Sequence, residues 1–251
     1  MDPGASGLDD GGMATFTLSR AQQDEVRTAA RQAAGMPLAE LTPGSFPLPT
    51  AAAVLRRLAD AVTRGAGFAL LRGVPVDEDP DLICAGVGCY AGRIVPQGAE
   101  QVPVQHVRDR GADPKVPTTL SYQHSAALGY HADPTDIVAL LCVRSAKSGG
   151  LSSIVRSAAV HDELARARPD LVQVLYQPWW RDLRTGDGPD SFRQSRDMQF
   201  LNNHIILHGR TAYEDYPEPE RRRDLIRLWL NAACDAPGET ARPFGVLEAA
   251  P

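Results

Sequence analysis

The chain has 251 residues, of which 43% are hydrophobic and 23% are charged, a balance typical of a globular protein with one sizeable core. The net charge of -5 and the lack of a Lys/Arg run beside aromatic residues argue against nucleic acid as a partner. The sequence contains no run of about 18 apolar residues and does not start with a basic segment followed by an apolar one. We therefore expect a cytoplasmic protein without membrane association, and composition leaves open whether it forms a homo-oligomer.

The first residues, 1–14, are rich in Gly and Asp and contain almost nothing to bury, which predicts a disordered leader before a single domain over 15–251. The chain has four cysteines without C-x-x-C spacing, mostly inside apolar runs, and we interpret them as buried, reduced thiols. They are Cys84, Cys89, Cys142 and Cys234.

The N-terminal part of the domain, residues 19–93, is predicted to be mainly helical. Ser19 precedes an Ala-rich segment that Gly35 ends, and a second segment of the same kind begins at Thr50. A β-rich run, GFALLRGVPV, comes next, and PDLICAGVGCYAG predicts a third helix.

From residue 94 to about 235 the sequence changes to short β-rich runs broken by turn residues, which favours an all-β sandwich or barrel. One helical segment interrupts these runs at residues 158–176, and Pro169 is expected to divide it. The fold class is therefore mainly β with flanking helices.

Two short patterns carry candidate metal ligands. His131 and Asp133 are two residues apart, so on an extended chain both side chains point to the same side. In FLNNHIILHG, strand alternation would place His204, Ile206 and His208 on one face, which suggests a strand that faces a cavity. Each pattern alone is also compatible with a simpler explanation, a surface loop for the first and an exposed edge strand for the second.

A third pattern, RRRDLIRLWL, places Arg221, Arg223, Arg227 and Trp229 on one face of a predicted strand. Arginine within a β-rich run indicates a bound anion, because the planar guanidinium matches a carboxylate and stays charged when desolvated. A solvated charge cluster is the alternative.

Taken in order, H-x-D, G-G-x-S, N-N-x-x-x-L-H-G-R-T and R-x-x-x-R resemble the taurine dioxygenase and clavaminate synthase-like family of 2-oxoglutarate oxygenases. The resemblance covers most of residues 66–231. It implies a distorted double-stranded β-helix, or jelly roll, of two antiparallel sheets with iron(II) between them at one open end. It also implies that His131, Asp133 and His208 bind the iron, and that His204 is a second residue of the inner face without being a ligand.

The resemblance assigns the cosubstrate as well. Arg223 would pair with the distal carboxylate of 2-oxoglutarate, Ser152 would assist it, and Arg227 would lie near the cosubstrate or an acidic group of the substrate. The implied reaction consumes dioxygen and 2-oxoglutarate, releases succinate and carbon dioxide, and oxidises a small molecule. An amino acid, another organic acid or a natural-product intermediate is expected as substrate, with hydroxylation as the default outcome.

The chain departs from the family in two places. The interval between Asp133 and His208 is short, so either a lid segment is absent from the sequence or the lid is reduced. Ser152 replaces the commoner Thr but keeps the hydroxyl group. No motif fixes the residues on the substrate side; the flanking segments contain Gln97, His106, Tyr122, His124 and Tyr130.

Three alternatives keep part of this interpretation. A desaturase or cyclase would use the same iron centre, whereas a halogenase would need the carboxylate ligand Asp133 to be absent. A non-catalytic module that binds a small acid would have no need for the whole set of residues, and a zinc hydrolase could use the same ligands. Iron(II)-dependent conversion of 2-oxoglutarate to succinate distinguishes the oxygenases from the other two.

Overall fold

The computed structural model describes residues 7–8, 14–98, 100–116, 119–177 and 196–232. Within these residues the chain forms five α-helices, which are α1 Arg20–Gln32, α2 Ala52–Thr63, α3 Pro80–Gly88, α4 Ser157–Ala167 and α5 Pro169–Leu175. The same residues form thirteen strands: β1 Gly7–Leu8, β2 Ala14–Thr17, β3 Phe68–Arg72, β4 Arg93–Val95, β5 Val104–Val107, β6 Leu128–His131, β7 Ile137–Arg144, β8 Ser148–Gly149, β9 Ser152–Arg156, β10 Met198–Asn202, β11 Ile206–Arg210, β12 Tyr213–Glu214 and β13 Asp224–Asn231.

The three predicted N-terminal helices are confirmed. Ser19 caps α1 through a reciprocal pair of side-chain to backbone hydrogen bonds with Gln22, and Gly35 follows the helix at a φ of 84°. Asp79 caps α3 by accepting a hydrogen bond from the Leu82 amide, and Pro80 occupies the first turn. The apolar sides of these helices pack with the large sheet in one core.

The large sheet has the strand order β1-β2-β3-β10-β7-β13-β4, and β5 also pairs with β13. Its central strands β7 and β13 are almost continuously apolar because both of their faces are buried. On β7, Ile137, Ala139 and Leu141 face the helices, whereas Val138 and Leu140 face the opposite side, where the site lies. All pairs in this sheet are antiparallel except β2 with β3, which is parallel.

The small sheet consists of β6, β11 and β9 in that order, and both of its pairs are antiparallel. His208 of β11 lies opposite His131 of β6, and the register shifts between His208 and Arg210. The mainly β class with flanking helices is confirmed.

The prediction of one strand across residues 200–209 is wrong. Strand β10 ends at Asn202 in the large sheet and β11 begins at Ile206 in the small one. The Asn202 side chain accepts a hydrogen bond from the His204 amide, a local turn that competes with strand structure. His204 is therefore exposed and pairs with Asp136 (Nε2 to Oδ1, 2.9 Å), so its predicted place on the inner face is also wrong.

The helical segment at 158–176 is divided as predicted, because Pro169 opens α5 directly after α4. In the expected leader, Gly7–Leu8 pairs with β2, and the rest of residues 1–13 lies outside the described residues. No helix among the described residues is long and apolar enough to span a membrane.

The predicted state of the cysteines is confirmed for the three that the structure describes, Cys84, Cys89 and Cys142, which are buried and not in disulfides. Burial raises the pKa of the Cys89 thiol to about 12. Cys234 lies outside the described residues.

Candidate active site

A group of possible metal ligands lies at the edge of the small sheet. Strand pairing places the imidazole rings of His131 and His208 4.3 Å apart between centroids. Asp133 follows in the loop after β6, and one donor atom from each residue lies within 4.8 Å of the others. Among the described residues, this is the one group of three such side chains with a spacing that suits a metal ion.

The loop that carries Asp133 is held by hydrogen bonds to its backbone, two of them with the Asn203 side chain. The Asp133 amide donates to Oδ1 of Asn203 (3.2 Å), and the Asn203 side chain donates to the Thr135 carbonyl (2.9 Å). Thr135 in turn donates its amide to the Asp133 carbonyl (2.9 Å). The second Asn of the N-N motif thus holds the loop between the two sheets, a role that the motif alone did not reveal.

The carboxylate of Asp133 is 1% exposed and has donors on both oxygens. Trp229 donates its indole N–H to Oδ2 (2.9 Å), and Nη1 of Arg227 lies 3.4 Å from Oδ1. Burial alone would raise the pKa of Asp133, but Arg227, His208, His131 and the Trp229 hydrogen bond outweigh it and lower the pKa. Asp133 is therefore an anion in a buried site.

These residues fit a divalent metal ion. The Nδ1 atom of His131 lies 2.9 Å from the Gly129 carbonyl, which orients the ring so that its Nε2 atom lies 4.0 Å from Oδ1 of Asp133. Two imidazoles and one carboxylate grouped in this way match the donor set of non-haem iron(II) oxygenases.

Both histidines line a cavity between the two sheets. Its walls are apolar at Val107, Leu128, Leu140 and Leu225. The cationic or hydroxyl-bearing side chains that also line it are Tyr122, Ser152, Arg210, Arg223 and Arg227. No carboxylate is among the described residues that line this cavity, so its lining is suited to an anion.

Arg223 is a buried cation that lines this cavity. Its backbone amide donates to Oδ1 of Asp215 (2.7 Å), and its guanidinium lies 4.8 Å from the centre of the Tyr213 ring. The residue is 3% exposed, and its Nη1 atom has no hydrogen-bond partner among the described residues. Burial lowers the pKa of the guanidinium, and the nearby Tyr213 opposes this only in part. Because a buried unpaired charge is costly, this group fits a site for an anionic ligand.

The Gly-Gly pair of the G-G-x-S motif provides room for Arg223. Gly149 and Gly150 have φ values of 72° and 65°, and a Cβ atom on Gly150 would lie 3.1 Å from Nε of Arg223. Two residues later, Ser152 is buried, lines the cavity and pairs in the sheet with Arg210.

Arg227 is held beside the metal-ligand group. Its Nε donates to Oε1 of Gln97 (2.9 Å), and its guanidinium packs against the Trp229 ring. The Gln97 side chain donates in return to the Arg227 carbonyl (3.0 Å), so the two residues brace each other. No sequence motif indicated these roles of Gln97 and Trp229, although strand alternation placed Trp229 on the same face as Arg227.

Of the other flanking residues, Tyr122 lines the cavity, whereas Tyr130 is exposed with its hydroxyl near that of Ser153 (2.8 Å). His124 is buried and its carbonyl accepts from Arg210 (3.0 Å). Arg221 lies in an exposed turn before β13 and not on the strand face where it was predicted.

His106 of β5 belongs to a separate charge network around Asp224, at the start of β13. Its ring lies between the carboxylates of Asp224 (2.8 Å) and Asp81 (2.9 Å), and Arg108 and Arg144 also contact Asp224. The hydrogen bond with Asp224, helped by the one with Asp81, raises the pKa of His106 to about 9.

Comparison with known proteins agrees with this geometry. The family model "Taurine catabolism dioxygenase TauD, TfdA family" matches residues 35–197. FR-33289 synthase of Streptomyces rubellomurinus is 24% identical over 294 aligned positions that cover 89% of this chain and 87% of that protein. Because that alignment is longer than the 251 residues of the chain, the synthase contains segments that this chain lacks.

Solved structures share the fold. Asparagine oxygenase with Fe(II), 2S,3S-3-hydroxyasparagine and succinate superposes with a TM-score of 0.63 at 18% identity, covering 86% of this chain and 93% of that chain. The non-haem iron oxygenase OrfP with Fe, succinate and (3S)-hydroxy-L-Arg gives 0.62 at 13% identity, covering 87% and 94%. The predicted double-stranded β-helix is confirmed.

Proposed function

This chain belongs to the taurine catabolism dioxygenase TauD, TfdA family, and from that membership we propose that His131, Asp133 and His208 hold iron(II) in a 2-oxoglutarate-dependent dioxygenase. The observation that carries the proposal is the His-Asp-His group, whose two histidines line a cavity that also contains a buried arginine with an unpaired nitrogen among the described residues. The products are succinate, carbon dioxide and an oxidised small molecule.

When bound, iron(II) would supply the activation of dioxygen, and the protein supplies ligands, orientation and a partly apolar cavity. Asp133 supplies the negative charge of the ligand set, and its lowered pKa keeps it anionic in the buried site. The apolar walls at Val107, Leu140 and Leu225 limit water beside the two histidines.

We assign the distal carboxylate of 2-oxoglutarate to Arg223. The guanidinium offers a planar fork to a carboxylate, and the bound anion would restore the pKa that burial lowers. Ser152, which is buried in the same cavity, adds a hydroxyl donor. Arg227 lies on the metal side of the cavity, where it can contact the cosubstrate or an acidic substrate group.

The substrate that we propose is a small organic acid or amino acid, and its most direct oxidation is hydroxylation. Three arginines and no carboxylate line the cavity among the described residues, so an anionic group is favoured there. The solved neighbours carry hydroxylated asparagine and hydroxylated arginine in their sites, which supports an amino acid or a derivative. The cytoplasmic location remains a prediction of the sequence.

An anaerobic titration tests the proposal. Iron(II) and then 2-oxoglutarate are added to the purified protein, and formation of a metal-to-ligand charge-transfer band is followed in the visible spectrum. Oxygen is then admitted with a panel of amino and organic acids, and succinate is quantified. His208→Ala serves as the control, which should give neither the band nor succinate. If the unmodified protein binds iron but forms no band with 2-oxoglutarate, the proposed function is wrong.

A further inference from the structure

The two oxygens of the Asp133 carboxylate have different surroundings. Oδ2 accepts the indole N–H of Trp229 at 2.9 Å, within the buried contact between the sheets. Oδ1 lies 4.0 Å from Nε2 of His131 and has a longer contact of 3.4 Å with Arg227. The oxygen that lies nearer to Nε2 of His131 is therefore the one with the longer contact to a protein donor.

Trp229 is a rigid donor. It lies in the middle of β13, where its backbone pairs with Val95 on one side and Val138 on the other. Its side chain is buried in an apolar cluster with Leu201 and Ile206, and the residue is 9% exposed. An indole N–H can donate a hydrogen bond but cannot accept one or bind a metal ion. At Oδ2 the Trp229 side chain can therefore act only as a hydrogen-bond donor.

From this asymmetry we propose that Trp229 is a positioning residue: its hydrogen bond occupies Oδ2, so that only Oδ1 is available to bind the metal. Carboxylates bind metal ions through one oxygen or through both. A ligand that used both oxygens would take a coordination position needed by the cosubstrate or by dioxygen. The inference rests on the proposed function, because it assumes that Asp133 is a metal ligand.

The first test measures affinity for Mn(II), used as a redox-stable probe, by calorimetry under anaerobic conditions. Trp229→Phe keeps an aromatic ring but removes the donor, and we expect Mn(II) affinity to fall about 10- to 100-fold, as for other residues that orient a metal ligand. Val95→Ala is the matched control, because Val95 packs against the same cluster and pairs with Trp229 but does not contact Asp133. It should change the affinity less than about twofold, in line with an intact donor.

The second test counts the water molecules bound to Mn(II) by pulsed electron paramagnetic resonance in ¹⁷O-labelled water. If loss of the N–H frees Oδ2 to bind, the Trp229→Phe protein should hold fewer waters than the unmodified protein. Weaker binding without this change in the water count would indicate a general loosening of the core and would overturn the inference.

Because the Phe variant can fail to fold for reasons of shape, the same measurements are made with 3-benzothienylalanine at position 229, which has sulfur in place of N–H. It should behave as the Phe variant does. Equal Mn(II) affinity and equal water count in both modified proteins and the unmodified one would overturn the inference but leave the proposed function intact. A protein that binds no Mn(II) before any substitution would overturn the proposed function, and this inference with it.

Discussion

Replacing Arg223 with Met should separate ligand binding from stability. Met has a similar length but no charge, so the distal carboxylate of 2-oxoglutarate would lose its partner in a desolvated cavity. The loss of one partner from such a buried pair costs about 2 to 5 kcal/mol, so affinity for 2-oxoglutarate should fall by well over tenfold. Iron(II) affinity should barely change, because Arg223 does not contact any of the three candidate ligands in the described structure.

The ligand-free protein should respond in the opposite way. The Arg223 guanidinium is buried with one nitrogen unpaired, and its contact with Tyr213 compensates only in part. Removing a buried uncompensated charge should therefore leave the free energy of unfolding equal or higher, whereas truncation in a well-paired core would lower it.

Two measurements check this prediction. Anaerobic titration with 2-oxoglutarate gives the affinity, and thermal unfolding with and without iron(II) and 2-oxoglutarate gives the stability. Arg221→Met is the matched control, since Arg221 lies two residues earlier in an exposed turn outside the cavity. If Arg223→Met binds 2-oxoglutarate as tightly as the unmodified protein, the anion site has been assigned to the wrong arginine.

Three further substitutions test other parts of the molecule. His208→Ala should abolish iron binding, measured by metal analysis after anaerobic reconstitution, while far-ultraviolet circular dichroism stays unchanged; a full iron load would exclude this ligand. Gly150→Ala should weaken 2-oxoglutarate binding because the new Cβ displaces Arg223, whereas Gly98→Ala, at the same φ of 65° but with no atom within 4 Å, should cost only backbone strain of about 1 kcal/mol. His106→Gln should remove a pH-dependent contribution to stability. The raised pKa means that this contribution is complete below about pH 6.5 and is lost as the pH rises to about 9. Because the ring is partly exposed, we expect this contribution to be on the order of 1 kcal/mol. It is measured as the loss in the free energy of unfolding by urea between pH 6 and pH 9. An equal loss in the variant would refute the prediction.

Local patterns predicted the elements that depend on neighbouring residues. The Ser19 cap and the Gly35 stop define α1, and Pro169 divides the later helical segment, because caps and proline act within a few residues. The two-residue spacing of His131 and Asp133 correctly indicated that their side chains converge, even though Asp133 lies just beyond the end of β6.

The same patterns failed where the partner was distant or the backbone turned. Alternation in residues 200–209 cannot distinguish one strand from two strands in different sheets joined by an Asn202 turn. Asn203 and Trp229 hold Asp133 from 70 and 96 residues away, and no local periodicity reports such pairs. The bracing of Arg227 by Gln97 spans 130 residues.

Two buried charges, Arg223 in the cavity and Asp133 beside it, have different surroundings, and this difference indicates what each one binds. Trp229 and Arg227 contact the Asp133 carboxylate, so it is an anion that the protein holds in position to bind a metal ion. The Arg223 guanidinium lies beside the Tyr213 ring, but its Nη1 atom has no hydrogen-bond partner in the described structure. Burying a charge that is not fully paired is costly, and proteins accept such costs mainly at functional sites. A metal ion therefore suits one end of the cavity and a carboxylate suits the other, which is the pair of ligands that a 2-oxoglutarate oxygenase must hold together.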